Sequence, residues 1–320
     1  MKNFILLLFT VWLVTGCSRE MYKGIPTNKD VVIVTNQKDG SLSFIDAAKQ
    51  NMLASWPVHK AIMGTAVLPD HDTIAVYGQD LESVYLYSLS KGTKVGEWKT
   101  GEGITNILVS SSGQDILLAD GQSNTVRLYN KKGTELAAIP VGKRPMTMVE
   151  RNNQLYVLNF NDTVLSVVGL KEKRVIDTIS TPQSSLGAVI YGNELWIGGH
   201  GSGAEINENV YIYEGRSLKQ KVSAPQMPVS FASDNEFIYV LSHGSGVLRK
   251  IDGNTHKDIA AIEVGANPFA VWLSGTALFV ASYDSDEIYV IPTDTMKMGT
   301  SIKVGKGPFH MTERKGEEHS

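Results

Sequence analysis

The chain has 320 residues, a formal net charge of -3, 42% hydrophobic residues and 20% charged residues. That length is ample for a large core, and the near-balanced charge offers no basic face of the kind nucleic acid demands. The only cysteine, Cys17, excludes disulfide frameworks, thiolate metal clusters and a cysteine nucleophile in the rest of the chain.

The first residues read MKNFILLLFTVWLVTGC, with Lys2 as a one-residue positive region and an apolar run from Phe4 to Val14. This is an export signal, too short for an independent transmembrane helix. The segment Val14-Thr15-Gly16-Cys17 resembles a bacterial lipobox. That resemblance implies a lipoprotein signal peptide over 1–16, cleavage before Cys17, and acyl chains such as palmitate on Cys17. The consequence is a globular domain held at a membrane of the bacterial cell envelope, on its extracytoplasmic side, through its N-terminal lipid. An ordinary signal peptide with an incidental cysteine is the competing reading. Residues 17–30 are polar, carry Gly24 and Pro26, and read as a tether.

From Val31 onward one strand recurs with the same character: two apolar residues, then a small or polar one. It is centred on Val34, Val76, Leu118, Val157, Ile197, Val240 and Val280, with steps of 42, 42, 39, 40, 43 and 40. A second marker recurs as VGKRP at Val141–Pro145, VGANP at Val264–Pro268 and VGKGP at Val304–Pro308. Each unit holds four short apolar runs split by Gly, Asn, Asp and Ser, which read as strands joined by hairpins. Repeats of about 40 residues and four strands pack radially as propeller blades. The fold class is therefore all-β: a seven-bladed β-propeller of four-stranded antiparallel blades over residues 31–313. A β-sandwich of the same strands would not need so even a period.

With strands a to d counted from the axis outward, the first unit starts at Val31 with a b strand and lacks an a strand. The last unit leaves one run over, Phe309 to Thr312. This C-terminal strand is expected to close the first blade by pairing with Val31 to Val34, which removes a free edge. Residues 314–320 are charged, lack periodicity and read as a frayed, disordered tail. Tyr87, Tyr129, Tyr213 and Tyr289 in c strands, and Trp196 and Tyr239 in b strands, read mainly as filling between sheets.

The segments LYVLNFNDTVLSVV (Leu155–Val168), IAAIEVGANPFAV (Ile259–Val271) and LFVASYDSDEIYVI (Leu278–Ile291) resemble the YVTN-type, or YncE-like and surface-layer-like, seven-bladed propellers. The resemblance covers about Val31 to Glu313 and implies the fold and an extracytoplasmic setting. It fixes no reaction, since related propellers include lyases, lactonases and cofactor-bearing domains.

Propeller geometry places d-to-a and b-to-c turns on one face, here called the top. His59 falls in a d-to-a turn, His200 and His243 each follow a b strand and open an identical His-Gly-Ser-Gly, and His310 lies early in the closing strand. His200 and His243 belong to adjacent blades, where equivalent positions converge. Such imidazoles can serve as metal ligands, as an acid and base, or as polar contacts. A b-to-c turn also needs Gly and Ser for its own geometry, so the duplication has a structural explanation as well. Tyr283, with Asn36, Asp120 and Asn159, lies near a b-strand end, and Arg144, with Lys143, Asn267 and Lys306, lies in a d-to-a turn. These residues would line a polar funnel for a small anionic ligand, a glycan or a peptide, although Asn and Asp at strand ends also fix turns. Glu205 and Glu208 sit in an insertion of the fifth blade, Gly199–Asn209, a natural place for a partner contact.

No phosphate loop, serine elbow, zinc-protease helix motif or dinucleotide fingerprint occurs. Asp284, Asp286 and Glu287 form the only carboxylate group suggestive of calcium. The expectation is a monomeric, non-catalytic ring, without cofactor, that binds an envelope protein or cell-surface ligand through its top face. Candidate binding residues are His200, His243, His310, His59, Tyr283 and Arg144. The alternative is a propeller lyase or hydrolase using histidines at the channel mouth, and a scaffold for an envelope assembly is a third reading.

Overall fold

A computed structural model describes residues 21–317. The expected signal peptide over 1–16, the expected lipidation site Cys17 and His319 lie outside the described residues.

The described residues form 28 strands in seven four-stranded antiparallel sheets, each ordered a-b-c-d. The innermost a strands face one another around the axis. Six blades are continuous in sequence. The second, for example, runs through Gly64–Val67, Thr73–Tyr77, Val84–Ser88 and Thr93–Trp98. The first takes its a strand from the C-terminus: Pro308–Arg314 pairs with Val31–Asn36, followed by Ser41–Asp46 and Asn51–Trp56.

The run Val31–Asn36 is buried at every residue, and its alternation explains why. Successive side chains point to opposite faces of the sheet, and both faces are covered. Val31 and Ile33 pack with Ile74, Val76 and Tyr87 of the second blade. Val32 and Val34 pack with Phe279, Ile288 and Val290 of the seventh, together with Met311 of the closing strand. The core is thus a ring of such inter-blade layers.

Both ends of the ring depart from the sequence reading. Residues 21–30 are no free tether. Ile25 is 2% exposed, Tyr22 stacks on Trp56 with centroids 5.2 Å apart, and the Trp56 indole donates to the Lys23 carbonyl at 3.0 Å. The Tyr22 and Ile25 amides donate to Gly92 and Leu89 carbonyls. Two apolar residues in a polar segment suffice to seat it between the first and second blades. Likewise Arg314 is not frayed: it ends the closing strand, is 2% exposed, and donates to the carbonyls of Pro26 and Thr27. Beyond it, the Gly316 amide donates to Asp30 at 2.8 Å and Lys315 pairs with Asp30 at 3.1 Å.

Closure makes a direct prediction. Met311 is 3% exposed, so Met311→Ala is expected to cost about 2–5 kcal/mol, read as a lowered denaturant midpoint. A chain ended at Gly307 exposes the Val31 edge and is expected to elute as oligomer or aggregate on size exclusion. A compact monomer from that chain would contradict the closure.

Candidate functional site

The top face is built by one backbone device repeated around the ring. In six blades the residue after the b strand donates its N–H to the carbonyl of the residue immediately before the b-strand end's partner on strand a. The pairs are Gln37 to Gly307, Gly121 to Gly103, Phe160 to Arg144, His200 to Ser184, His243 to Met227 and Tyr283 to Asn267. The accepting residue is left-handed in all six, with φ of 66, 110, 53, 55, 56 and 57° respectively. Glycine adopts this conformation freely, whereas Arg144, Ser184, Met227 and Asn267 carry strain of about 1–3 kcal/mol each. The a strand then opens with a bulge, which re-aims one side chain. The bulged residues include Met146, Leu186, Phe269 and Phe309.

The two devices bring rings together. After the b strands of the fourth to seventh blades stand Phe160, His200, His243 and Tyr283, and the bulges of the seventh and first add Phe269 and Phe309. Their centroids form a chain: Phe160 to His200 5.9 Å, His200 to His243 5.8 Å, His243 to Phe269 4.2 Å, Phe269 to Tyr283 5.2 Å and Phe269 to Phe309 5.0 Å. Two of the outer rings carry a cation. The Arg144 guanidinium lies 5.8 Å from the Phe160 centroid and Lys38 Nζ 4.3 Å from that of Tyr283. All six rings are half-buried, so each keeps a solvent-facing part. The equivalent positions in the first three blades are Gln37, Gly78 and Gly121. There the face opens into a polar cleft of about 690 Å³ lined by Asp80, Glu102, Gln122, Lys143 and Arg144 among others.

The candidate residues fare unequally. His200, His243, Tyr283 and Arg144 are brought into this arc. His59 is exposed and makes no hydrogen bond or ring contact with the other histidines. His310 does not join the pair either. It turns toward the second blade, where Nδ1 accepts from the Thr65 amide at 3.5 Å and the ring meets Tyr77 edge-on at 6.1 Å. Asn36, Asp120 and Asn159 fix their own turns. Asn36 bonds Ser41 and Ser43, Asp120 accepts from the Gln122 and Ser123 amides, and Asn159 bonds Ser166. The carboxylates proposed for calcium are separately engaged, Asp284 by Lys38, Asp286 by the Gly307 amide and Glu287 by Lys303. Among the described residues no group of three or more His, Cys, Asp or Glu is placed to hold a metal ion.

Sequence reasoning missed Phe160, Phe269, Phe309 and Lys38. Phe160 shares the register of His200 and Phe269 follows a marked Val-Gly-x-x-Pro turn, so the repeat itself carried the signal. It also missed a second cluster on the opposite face. There His256 bonds Glu194 at 2.9 Å and Gln220 at 2.8 Å and meets Trp196 edge-on at 5.2 Å. That cluster joins the fifth and sixth blades.

Burial lowers His200 below the ordinary histidine range, and the neighbouring His243 adds to this. Burial likewise lowers His243, against the Pro268 carbonyl and Asp284, which favour its charged form. Both imidazoles are neutral near pH 7. The Asp284 carboxyl is held low chiefly by its bond to Lys38.

No protein-family profile matches the chain, and no curated protein matches it. Solved structures do. Hydrazine synthase from Kuenenia stuttgartiensis aligns with a TM-score of 0.74 and 17% identity over 87% of this chain and 96% of that one. A functionally unknown protein from Desulfotomaculum acetoxidans aligns at 0.76 and 12% identity over 90% and 99%. AztD from Citrobacter koseri aligns at 0.63 and 13% identity over 90% and 98%. Likeness at this identity defines the class as a seven-bladed β-propeller and goes no further.

Burial pushes His310 down to about 4 from the ordinary 6.5. The unfolded chain takes up that proton below pH about 6.5, whereas the folded ring resists until near 4. Stability is therefore full above this window and falls as pH drops through it, by up to about 1.4 kcal/mol per pH unit from this site. His310→Gln is expected to flatten the fall in melting temperature between neutral pH and pH 4.5. An unchanged slope would mean that another group sets the acid sensitivity.

Proposed function

We propose that this protein is a lipid-anchored, extracytoplasmic binding module of the bacterial envelope. Its top face takes a cell-surface ligand or an envelope protein. The observation that carries the reading is the arc of half-buried rings from Phe160 to Phe269, Tyr283 and Phe309, with Arg144 over Phe160 and Lys38 over Tyr283. Rigid aromatic side chains give large contact area at low entropic cost, which is why they dominate recognition surfaces. Beside them the polar cleft offers charges of both signs, so a ligand crossing the mouth meets an apolar half and a polar half.

The N-terminal segment supports the anchored geometry. The Tyr22 amide is bonded to Gly92 in the c-to-d turn of the second blade, on the face opposite the arc. Cys17 precedes Met21 by four positions. Acyl chains there hold the lower rim toward the membrane and leave the top face directed away from it.

A second reading, lyase or hydrolase chemistry, draws on the same two neutral imidazoles at 5.8 Å. Neither ring has a carboxylate hydrogen-bond partner among the described residues. His243 is oriented by a neutral backbone carbonyl and His200 Nδ1 by nothing, so neither imidazole is paired as in a carboxylate-backed base, which favours binding.

Two measurements test this. Cys17→Ser is expected to shift the protein from the membrane to the soluble fraction, and membrane retention by that variant would remove the anchor. Ligands selected on the full-length protein from peptide and glycan libraries are expected to lose at least about tenfold in affinity with Phe269→Ala or Tyr283→Ala. They should keep their affinity with Leu218→Ala on the outer edge. Equal loss at Leu218, or none at the arc, would place binding elsewhere.

A further inference from the structure

The two central histidines share the sequence His-Gly-Ser-Gly, yet they present opposite hydrogen-bonding characters. His243 Nδ1 lies 3.3 Å from the Pro268 carbonyl oxygen. A carbonyl only accepts, so Nδ1 carries the proton and Nε2 keeps its lone pair. His200 Nδ1 is buried and has no hydrogen-bond partner. An orphaned N–H is the less tolerated of the two deficits, so the bare nitrogen is Nδ1 and the proton sits on Nε2. The pair therefore offers one donor, His200 Nε2–H, and one acceptor, His243 Nε2, on rings whose centroids are 5.8 Å apart.

A single atom that accepts from one and donates to the other is a hydroxyl oxygen. A carboxylate fails at His243 and an ammonium fails at His200. On either side of this pair stand Phe160, Phe269, Tyr283 and Phe309, whose faces suit the apolar C–H faces of a pyranose as well as other flat apolar groups. Hydroxyl recognition flanked by ring platforms is the chemistry of saccharide binding.

We propose that the top-face ligand is an oligosaccharide, with one sugar hydroxyl bridging His200 and His243 and the neighbouring sugar faces stacked on Phe269 and Tyr283. This rests on the reading of the top face as a binding surface and names its ligand class. Burial supports it by keeping both imidazoles neutral, because a protonated His243 would lose the acceptor.

The test uses the full-length protein in detergent micelles with three probes. These are N-acetylglucosamine oligomers, soluble peptidoglycan fragments, and an apolar fluorescent dye that needs the rings alone. At least one saccharide probe is expected to bind. His243→Phe, which keeps a ring and removes both nitrogens, is expected to weaken that saccharide at least about tenfold, the discrimination a site gains from pairing a buried polar group. Dye binding stays within about twofold, and His243→Gln, which retains an acceptor, recovers part of the saccharide affinity. Lowering the pH from 7.5 to 5 is expected to weaken saccharide more than dye. Dye or peptide binding that depends on Phe269, with no saccharide bound, overturns the oligosaccharide assignment and leaves the binding surface standing. No binding of any probe at the arc overturns both. Saccharide binding unaffected by His243→Phe overturns the bridging hydroxyl.

Discussion

The ring depends on one pairing, that of Pro308–Arg314 with Val31–Asn36. Each blade is apolar on both faces and so must be covered twice. A chain of seven such sheets satisfies this only if its first and last sheets meet. Here the meeting is covalently distant but hydrogen-bonded within one sheet, so the first blade is completed by residues from both ends of the domain. The register is not free to slip. A shift by one residue would send Val32 and Val34 toward the second blade and Val31 and Ile33 toward the seventh, exchanging every packed side chain. The contacts of Arg314, Lys315 and Gly316 with Pro26, Thr27 and Asp30 lie just past the pairing and extend the same junction.

From that closed frame the mouth follows with little freedom. In six blades the left-handed residue before the a strand accepts from the residue after the b strand, and this places the latter at the rim. In the first and third blades the accepting residue is Gly307 or Gly103 and the rim residue is Gln37 or Gly121. In the fourth to seventh blades the accepting residue has a side chain and the rim residue a ring. The strained side of the ring is thus the aromatic side. Local strain of this kind persists where surrounding structure over-determines it, and here the sheets on either side of each turn do so. Arg144 joins both roles, since its backbone accepts from Phe160 while its guanidinium lies over the Phe160 ring.

The fold was legible because its signal is a period. Seven b strands at steps of 39 to 43 residues announce blades whatever the individual propensities, and the leftover run at Phe309 announces the closure. The site was legible only in part, for a related reason. Register told that His200, His243 and Tyr283 stand at one rim, and they do. It could not tell that His310 turns away into the second blade, because alternation at the start of the closing strand is decided by the bulge at Phe309, opposite Thr35 and Asn36. Phe160, Phe269 and Phe309 were overlooked because an aromatic residue in a β protein is ordinarily core, and only tertiary contacts separate a core ring from a rim ring. The tether was misread for the opposite reason: Tyr22 and Ile25 are sparse among polar residues, and their groove exists only once two blades stand side by side.

The duplicated motif shows how far sequence identity carries at such a site. His243 finds an acceptor because the Pro268 carbonyl of the following blade lies beside it. The corresponding carbonyl for His200 is that of Pro228. It sits where a Cβ on Gly198 would stand, at 2.2 Å from that position. The sixth blade has Leu241 at that place, where a carbonyl cannot approach as closely as it does to a glycine. The glycine of the fifth blade leaves room for the partner carbonyl against the strand, and Nδ1 of His200 is unpaired. Two copies of one tetrapeptide meet different partners at Nδ1, and the asymmetry from which a donor and an acceptor are inferred belongs to the neighbouring blades rather than to the repeat.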